Sequence, residues 1–276
     1  MTKKYKVSIL GCGWYGLELG KKLSDAGFPV SGSTTTQDKL EILSRHHIDP
    51  YLIDLKDDDK PGFDPAFFDT DILILTLPPK RASNEQQSFT SKIQKILEAI
   101  IDAPLQHVIF ISSTSVYGDN NQPIDELGEV LPVTDSGKSI LAAENLLKKQ
   151  VGFATTVIRF AGLIGPGRDP GNFFAGKKDV PNGQAPVNLI HLNDCIGITM
   201  KIIEKKAFGH TFNACAPDHP QKQYFYTQAA INSGLPKPEF LDELKQWKIV
   251  SSIKIPQLLN YTWQIGNLGD WLHRIK

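Results

Sequence analysis

Near its start the chain carries Gly11, Gly13 and Gly16 in the spacing G-x-G-x-x-G, directly after the apolar run Val7-Ser-Ile-Leu10. At that spacing each glycine has its own task. The first turns the chain sharply, the second lets the backbone approach a pyrophosphate, and the third lets a helix pack close on a strand. A helix beginning at this point adds unpaired N–H groups and the positive end of its dipole, which suit two phosphates. The bound species this predicts is a dinucleotide, held through the backbone of Gly11, Cys12, Gly13, Trp14, Tyr15 and Gly16. A second group of polar residues, Ser33-Thr34-Thr35, ends the next apolar stretch. A carboxylate at that place would select NAD by binding the ribose 2′-hydroxyl. Hydroxyls accommodate a 2′-phosphate instead, with Lys39 or Arg45 in reach, so the expected cofactor is NADP, with NAD as the other possibility.

The elements that must position these residues alternate. Val7–Leu10 reads as a buried strand and residues 17–26 as a helix ending at Gly27. Phe28–Ser33 reads as a second strand, and Ser33-Thr34-Thr35 is also expected to cap a helix beginning near Gln37. Tyr51–Leu55 is a third strand, with Asp54 placed to meet the adenine amino group and Leu55 beside it. Asp71–Leu77 is a fourth, stopped by Pro78 and Pro79, so that Thr76, Leu77 and Pro78 are expected against the cofactor; Lys80 and Arg81 follow on the loop. Phe89, Ile93, Ile96, Leu97 and Ile100 recur at helical spacing, and His107–Ser112 is a fifth strand. Such alternation gives a doubly wound α/β fold, a parallel sheet with helices on both faces. Ligands of such sheets sit at the carboxyl ends of the strands, where the glycine loop, Thr76, Ser112 and Ser113 gather.

Composition narrows the function classes. Lys plus Arg and Asp plus Glu both number 30, a formal net charge of zero, which argues against a general nucleic-acid surface. No apolar run approaches the roughly 20 residues needed to span a bilayer, and the first residues lack a signal-peptide pattern. Cys12, Cys195 and Cys215 have neither metal-ligand nor disulfide spacing. The expectation is a cytoplasmic protein with a small-molecule partner, no metal, no nucleic acid and no membrane.

Ser112-Ser-Thr-Ser-Val-Tyr-Gly118 resembles the signature of the extended and atypical short-chain dehydrogenase/reductase superfamily, the NAD-dependent epimerase/dehydratase group. Residues 157–167 look like its sixth strand and loop, Asn188–Asp194 like the entry to its next helix, and Thr211–Cys215 like a later strand. Length and motifs are similar to the small atypical bacterial members of YeeZ type, described as NAD(P)-binding oxidoreductases. The resemblance implies a Rossmann-type domain over residues 1–165 and a smaller substrate lobe over 166–276, interleaved with the sheet. It also implies a homodimer formed through helices beside the fourth and fifth strands.

For chemistry, the resemblance implies that Ser113 hydrogen-bonds the reacting oxygen. It also implies a Tyr-x-x-x-Lys pair some twenty residues on. Aligned on Gly137-Lys138-Ser139, those two positions hold Ser136 and Ile140, and Lys138 lies on another helical face. A serine hydroxyl is a far weaker acid than a tuned phenol, so a different proton donor is required. Tyr117 and His191 are the candidates; Arg168 could clamp an anion, while Arg159, inside a strand, reads as structural. Two functions remain open: an oxidoreductase or epimerase-like enzyme with a non-standard proton donor, or a catalytically silent NADP(H) sensor. Trp247, Trp263 and Trp271 read as core packing rather than as a substrate wall.

Overall fold

The computed structural model describes residues 4–55, 64–78 and 85–274. Among these described residues eleven strands and seven α-helices follow in chain order: β1 (Val7–Leu10), α1 (Trp14–Asp25), β2 (Val30–Thr34), α2 (Asp38–Arg45), β3 (Asp49–Leu52), β4 (Ile72–Leu75), α3 (Glu85–Ala99), β5 (His107–Ser113), β6 (Gln122–Ile124), α4 (Asp135–Lys148), β7 (Ala154–Phe160), β8 (Gly162–Ile164), β9 (Leu189–His191), α5 (Leu192–Lys205), β10 (Thr211–Ala214), α6 (Lys222–Asn232), β11 (Lys248–Val250) and α7 (Leu268–Arg274). Seven of the strands form one sheet in the order β10-β7-β5-β4-β1-β2-β3. The pairs β1/β2, β1/β4, β2/β3 and β4/β5 are parallel. The order reverses between β1 and β4, the place where doubly wound sheets bind ligands. This is the predicted fold class.

The chain divides into two compact units, residues 1–116, 132–158 and 202–211 in one, and 117–131, 159–201 and 212–276 in the other. In the first, β1 and β4 are buried at every residue because helices cover both faces, which accounts for their unbroken apolar sequences. The predicted stripe on α3 is present, with Phe89, Ile93, Ile96 and Ile100 buried and the helix packed on α4. Thr134 caps α4, its Oγ1 accepting from Gly137 N at 3.1 Å. The second unit holds the two small parallel pairs β6/β11 and β8/β9. Its core gathers Ile164, Leu189, Phe225, Ala229, Leu268 and Leu272, with Trp271 packed against it.

Several elements differ from the sequence reading. The third strand ends at Leu52, leaving Asp54 and Leu55 beyond it, and the fourth ends at Leu75, leaving Thr76 as the first residue outside. The Ser33-Thr34-Thr35 stretch does not cap α2. Gln37 is the N-cap and makes no side-chain bond, while Thr34 Oγ1 accepts from Thr36 N at 3.2 Å inside the turn itself. Strand β6 carries too few apolar residues to be recognised, and beyond β11 the chain enters a π-turn at Ile255–Leu259. Pro79, Lys80 and Arg81 lie outside the described residues. Among the described residues, no helix is long and apolar enough to cross a membrane, and no cluster of side chains suits a metal ion.

One histidine, His191, is buried and two more, His107 and His219, are half-buried. His107 stacks on Phe208 at 3.7 Å, and its buried Nδ1 has no hydrogen-bond partner among the described residues. Burial holds His107, His191 and His219 below the ordinary histidine pKa. Between those lowered values and the unfolded value of about 6.5, the unfolded chain binds more protons than the folded one. Stability is therefore complete above about pH 6.5 and declines as pH falls below it. The urea midpoint should fall between about pH 7.5 and about pH 5.5, and His107→Phe should lessen the fall. An unchanged midpoint across that range would contradict the shielding.

Candidate functional site

The glycine loop joins β1 to α1 and is built almost wholly from backbone. Gly11 adopts φ +107°, a conformation that side chains disfavour. A Cβ on Gly16 would lie 2.4 Å from the Gly11 carbonyl oxygen, so helix and turn touch through bare backbone. Gly13 is the exception: a Cβ there would meet nothing within 4 Å. The space over the second glycine is open, on the side where the helix begins. Gly13 is also the N-cap of α1, with no side chain to accept from the first turn and no acidic residue within it. These features fit a phosphate group: an open approach to backbone at a helix start that no carboxylate occupies.

Hydroxyls from the two neighbouring strands hold the loop. Ser33, at the end of β2, accepts from Gly11 N at 2.9 Å, and its carbonyl accepts from Cys12 N at 2.7 Å. Thr76, just past β4, lies with Oγ1 2.5 Å from the Gly11 carbonyl oxygen, while its N–H donates to the Leu10 carbonyl at 3.1 Å. The Cys12 thiol is buried and pushed up to about 12 by desolvation, so it packs as an unreactive side chain. Of the predicted ribose contacts, Ser33 and Thr34 are buried and engaged within the protein; Thr35 and Lys39 are exposed. Arg45 pairs with Glu41 at 2.5 Å on the surface of α2. Asp54 and Pro78 are exposed, Leu55 is buried and Leu77 half-buried.

At the end of β5 the two serines part company. Ser112 donates to Glu144 Oε1 at 2.5 Å, and that carboxylate, wholly buried on α4, also pairs with Lys148 at 3.2 Å. Glu144 was not singled out from the sequence. Its signal was there: with Ile140, Ala143 and Leu147 it shares the buried stripe of α4, where an acid is out of place without a partner. Ser113 is half-buried, and its Oγ accepts from Ser115 N at 3.1 Å. On α4, Ser136 Oγ lies 3.3 Å from Thr134 Oγ1, Ile140 is buried, and Lys138 is exposed beside Asp135. The chain has no tyrosine between Tyr117 and Tyr224.

Tyr117 and His191 belong to the second unit, whereas Ser113 belongs to the first. The Tyr117 hydroxyl accepts from Arg159 at 2.6 Å and lies 2.9 Å from Asn213 Oδ1 and 3.0 Å from the Asp125 carbonyl. Burial raises its pKa, with Arg159 opposing, and only 1% of the residue is exposed. His191 is buried too. Its Nδ1 accepts from Asn193 N at 3.1 Å, and its ring meets Trp271 edge-on at 5.4 Å. Arg168 is exposed after the Gly165 turn.

The sequence of residues 11–190 matches the model of the family described as NAD(P)H-binding. The chain belongs to that family. This NAD(P)H-binding protein is 38% identical over 264 residues to Protein YeeZ of Escherichia coli strain K12, covering 94% of the chain and 96% of YeeZ. Its fold is shared by a functionally unknown conserved protein from Silicibacter pomeroyi DSS, with TM-score 0.80, 21% identity and coverage of 99% and 98% of the two chains. It is shared as well by UDP-glucuronic acid 4-epimerase from Bacillus cereus in complex with NAD, with TM-score 0.79, 19% identity and coverage of 97% and 96%. The fold is that of the epimerase/dehydratase group of short-chain dehydrogenases/reductases.

Two substitutions separate the roles of the glycines. Gly13→Ala should cost at most about 1 kcal/mol, the helix N-cap preference, yet weaken dinucleotide binding more than tenfold by filling the phosphate approach. Gly16→Ala should destabilise the fold by roughly 1–3 kcal/mol, because its Cβ would have to displace backbone. Urea melts and nucleotide titrations of both variants check this. Equal loss of stability in the two would refute the assignment.

Proposed function

We propose that this protein is an NAD(P)-dependent oxidoreductase or epimerase-like enzyme acting on a small carbonyl or hydroxyl substrate. The observation that carries the reading is the open backbone at Gly13 at the start of an uncapped helix, set in a loop pinned by Ser33 and Thr76. When bound, the nicotinamide supplies or accepts a hydride. The chain's own work is to bind and orient. The loop and the first turn of α1 hold the phosphates, and exposed Thr35 and Lys39 receive a 2′-phosphate, which gives NADP the preference over NAD. Ser113, its Oγ already accepting from Ser115 N, directs its O–H to the substrate oxygen and holds it for reaction. With Ser136 and Ile140 where the Tyr-x-x-x-Lys pair is expected, the proton passes to water or to a group outside that pair. A general acid contributes about 10²–10⁴-fold, so turnover is slow by that measure.

One observation favours a second reading, an NADP(H) sensor without turnover: the buried face of α4 presents Ile140 and an engaged Glu144, and no phenol. Thermal shifts with NADPH, NADP, NADH and NAD, followed by cofactor oxidation against a carbonyl panel, distinguish the two. The enzyme reading expects the largest stabilisation with NADPH and slow oxidation that falls about 10²–10³-fold in Ser113→Ala, the usual cost of removing one such donor. Binding without oxidation of any member of the panel supports the sensor. Failure to bind all four nucleotides overturns both.

A further inference from the structure

The second unit contains a cavity of about 280 Å³ lined by Asn120, Gln122, Pro123, Ile124, Asp125, Gly128, Glu129 and Ser251. None of these residues was singled out from the sequence, and none belongs to the glycine cradle. We propose that this cavity is a second ligand site, one that takes an uncharged polyol of about one ring, such as the pyranose of a simple glycoside.

The framework around the cavity is built to hold its shape. Strand β6 supplies Gln122, Pro123 and Ile124 and is paired in register with β11, Gln122 opposite Lys248 and Ile124 opposite Val250. Ser251 N donates to the Ile124 carbonyl at 2.8 Å, which fixes the serine against the strand. Asp125 is anchored three ways: its carbonyl accepts from Gly128 N at 3.2 Å and lies 3.0 Å from the Tyr117 hydroxyl, and its Oδ1 accepts from Leu127 N at 2.8 Å. The next residue, Glu126, is buried and accepts from Asn213 N, Ile253 N and Lys254 N at 2.9, 3.0 and 3.3 Å. The backbone of the lining and the Asp125 carboxylate are thus set before a ligand arrives, which lowers the ordering cost of binding.

The lining decides the ligand. Two carboxylates, two carboxamides and a hydroxyl offer strong acceptors interleaved with donors, the complement of adjacent hydroxyl groups on a ring. Pro123 and Ile124 give the cavity an apolar patch for the C–H face of such a ring. No lysine or arginine lines it, which disfavours phosphates and carboxylates. The volume lies just below the roughly 300–1,000 Å³ of typical ligand pockets, which limits the occupant to a single ring.

Saturation-transfer NMR on the full chain tests this, with methyl α-glucopyranoside, methyl β-galactopyranoside and myo-inositol as probes and propylammonium and inorganic phosphate as controls. Transfer is expected to at least one polyol, to persist when NADPH is added in excess, and to neither control. Glu129→Gln and Asn120→Ala, both exposed positions, should each weaken binding by about tenfold, the loss of one charge-assisted or neutral hydrogen bond to the ring. Unchanged urea midpoints confirm that both variants fold. Transfer to no polyol overturns the proposal, as does transfer that NADPH abolishes or that both variants leave intact. A response to propylammonium alone overturns it in favour of a cation site. Because Gly13→Ala leaves this cavity untouched, polyol transfer in that variant separates the proposal from the dinucleotide reading.

Discussion

Everything at the dinucleotide end depends on one close approach, that of the α1 backbone at Gly16 to the carbonyl of Gly11. A side chain at Gly16 would push the helix off the strand, and one at Gly11 would run into the Thr76 hydroxyl. The approach holds because β1 lies between β2 and β4, and each neighbour brings a hydroxyl to the loop one residue past its last register partner. Ile9 pairs with Gly32, so Ser33 comes next and reaches Gly11 N; Leu10 pairs with Leu75, so Thr76 comes next and reaches the Gly11 carbonyl. Strand order, register and two hydroxyls thus shape the same loop from both sides. Gly13 alone is left facing open space, and openness at that one point is what a phosphate needs.

Much of this was legible in the sequence because it rests on backbone chemistry. Glycine spacing, the apolar runs of β1 and β4 and the stripe on α3 follow from sterics and periodicity, and the structure contains all three. Side-chain direction was harder to read. Ser33 has the right chemistry for a ribose and the right position at a strand end, but its hydroxyl turns to Gly11 N. Ser112 and Ser113 are adjacent and chemically identical; strand alternation sends one toward Glu144 and leaves the other half-buried with Ser115. Such choices depend on which neighbour holds an unsatisfied N–H or carboxylate, and that neighbour is distant in the chain.

The second unit was the least legible, and the reason is physical. The strands of its two small pairs are each three residues long, too short for a period to show. Where a long sheet would satisfy the backbone, buried or half-buried acids do so instead. Asp194 accepts from Gln264 N and Ile265 N as well as from the Tyr261 hydroxyl; Asp218 accepts from Leu268 N and Gly269 N; Glu126 accepts from three N–H groups. A carboxylate placed this way offsets its own desolvation while fixing segments that no hydrophobic pattern would bring together. In sequence each is only an acidic residue among others.

The Glu126 clamp also bears on the order in which the molecule is made. Its partners Ile253 and Lys254 are 127 and 128 residues further on, and β6 meets β11 across a similar separation. A chain emerging from the ribosome has all the strands of the first unit in hand once Thr211 is out. The excursion through residues 117–131 must still wait, with Glu126 lacking two of its three donors, until the chain has been extended past Lys254. Loop closure over so long an interval is slow. Through that interval the exposed side chain of Leu127 and the unpaired edge of β6 are what the unfinished protein offers to chaperones or to other nascent chains.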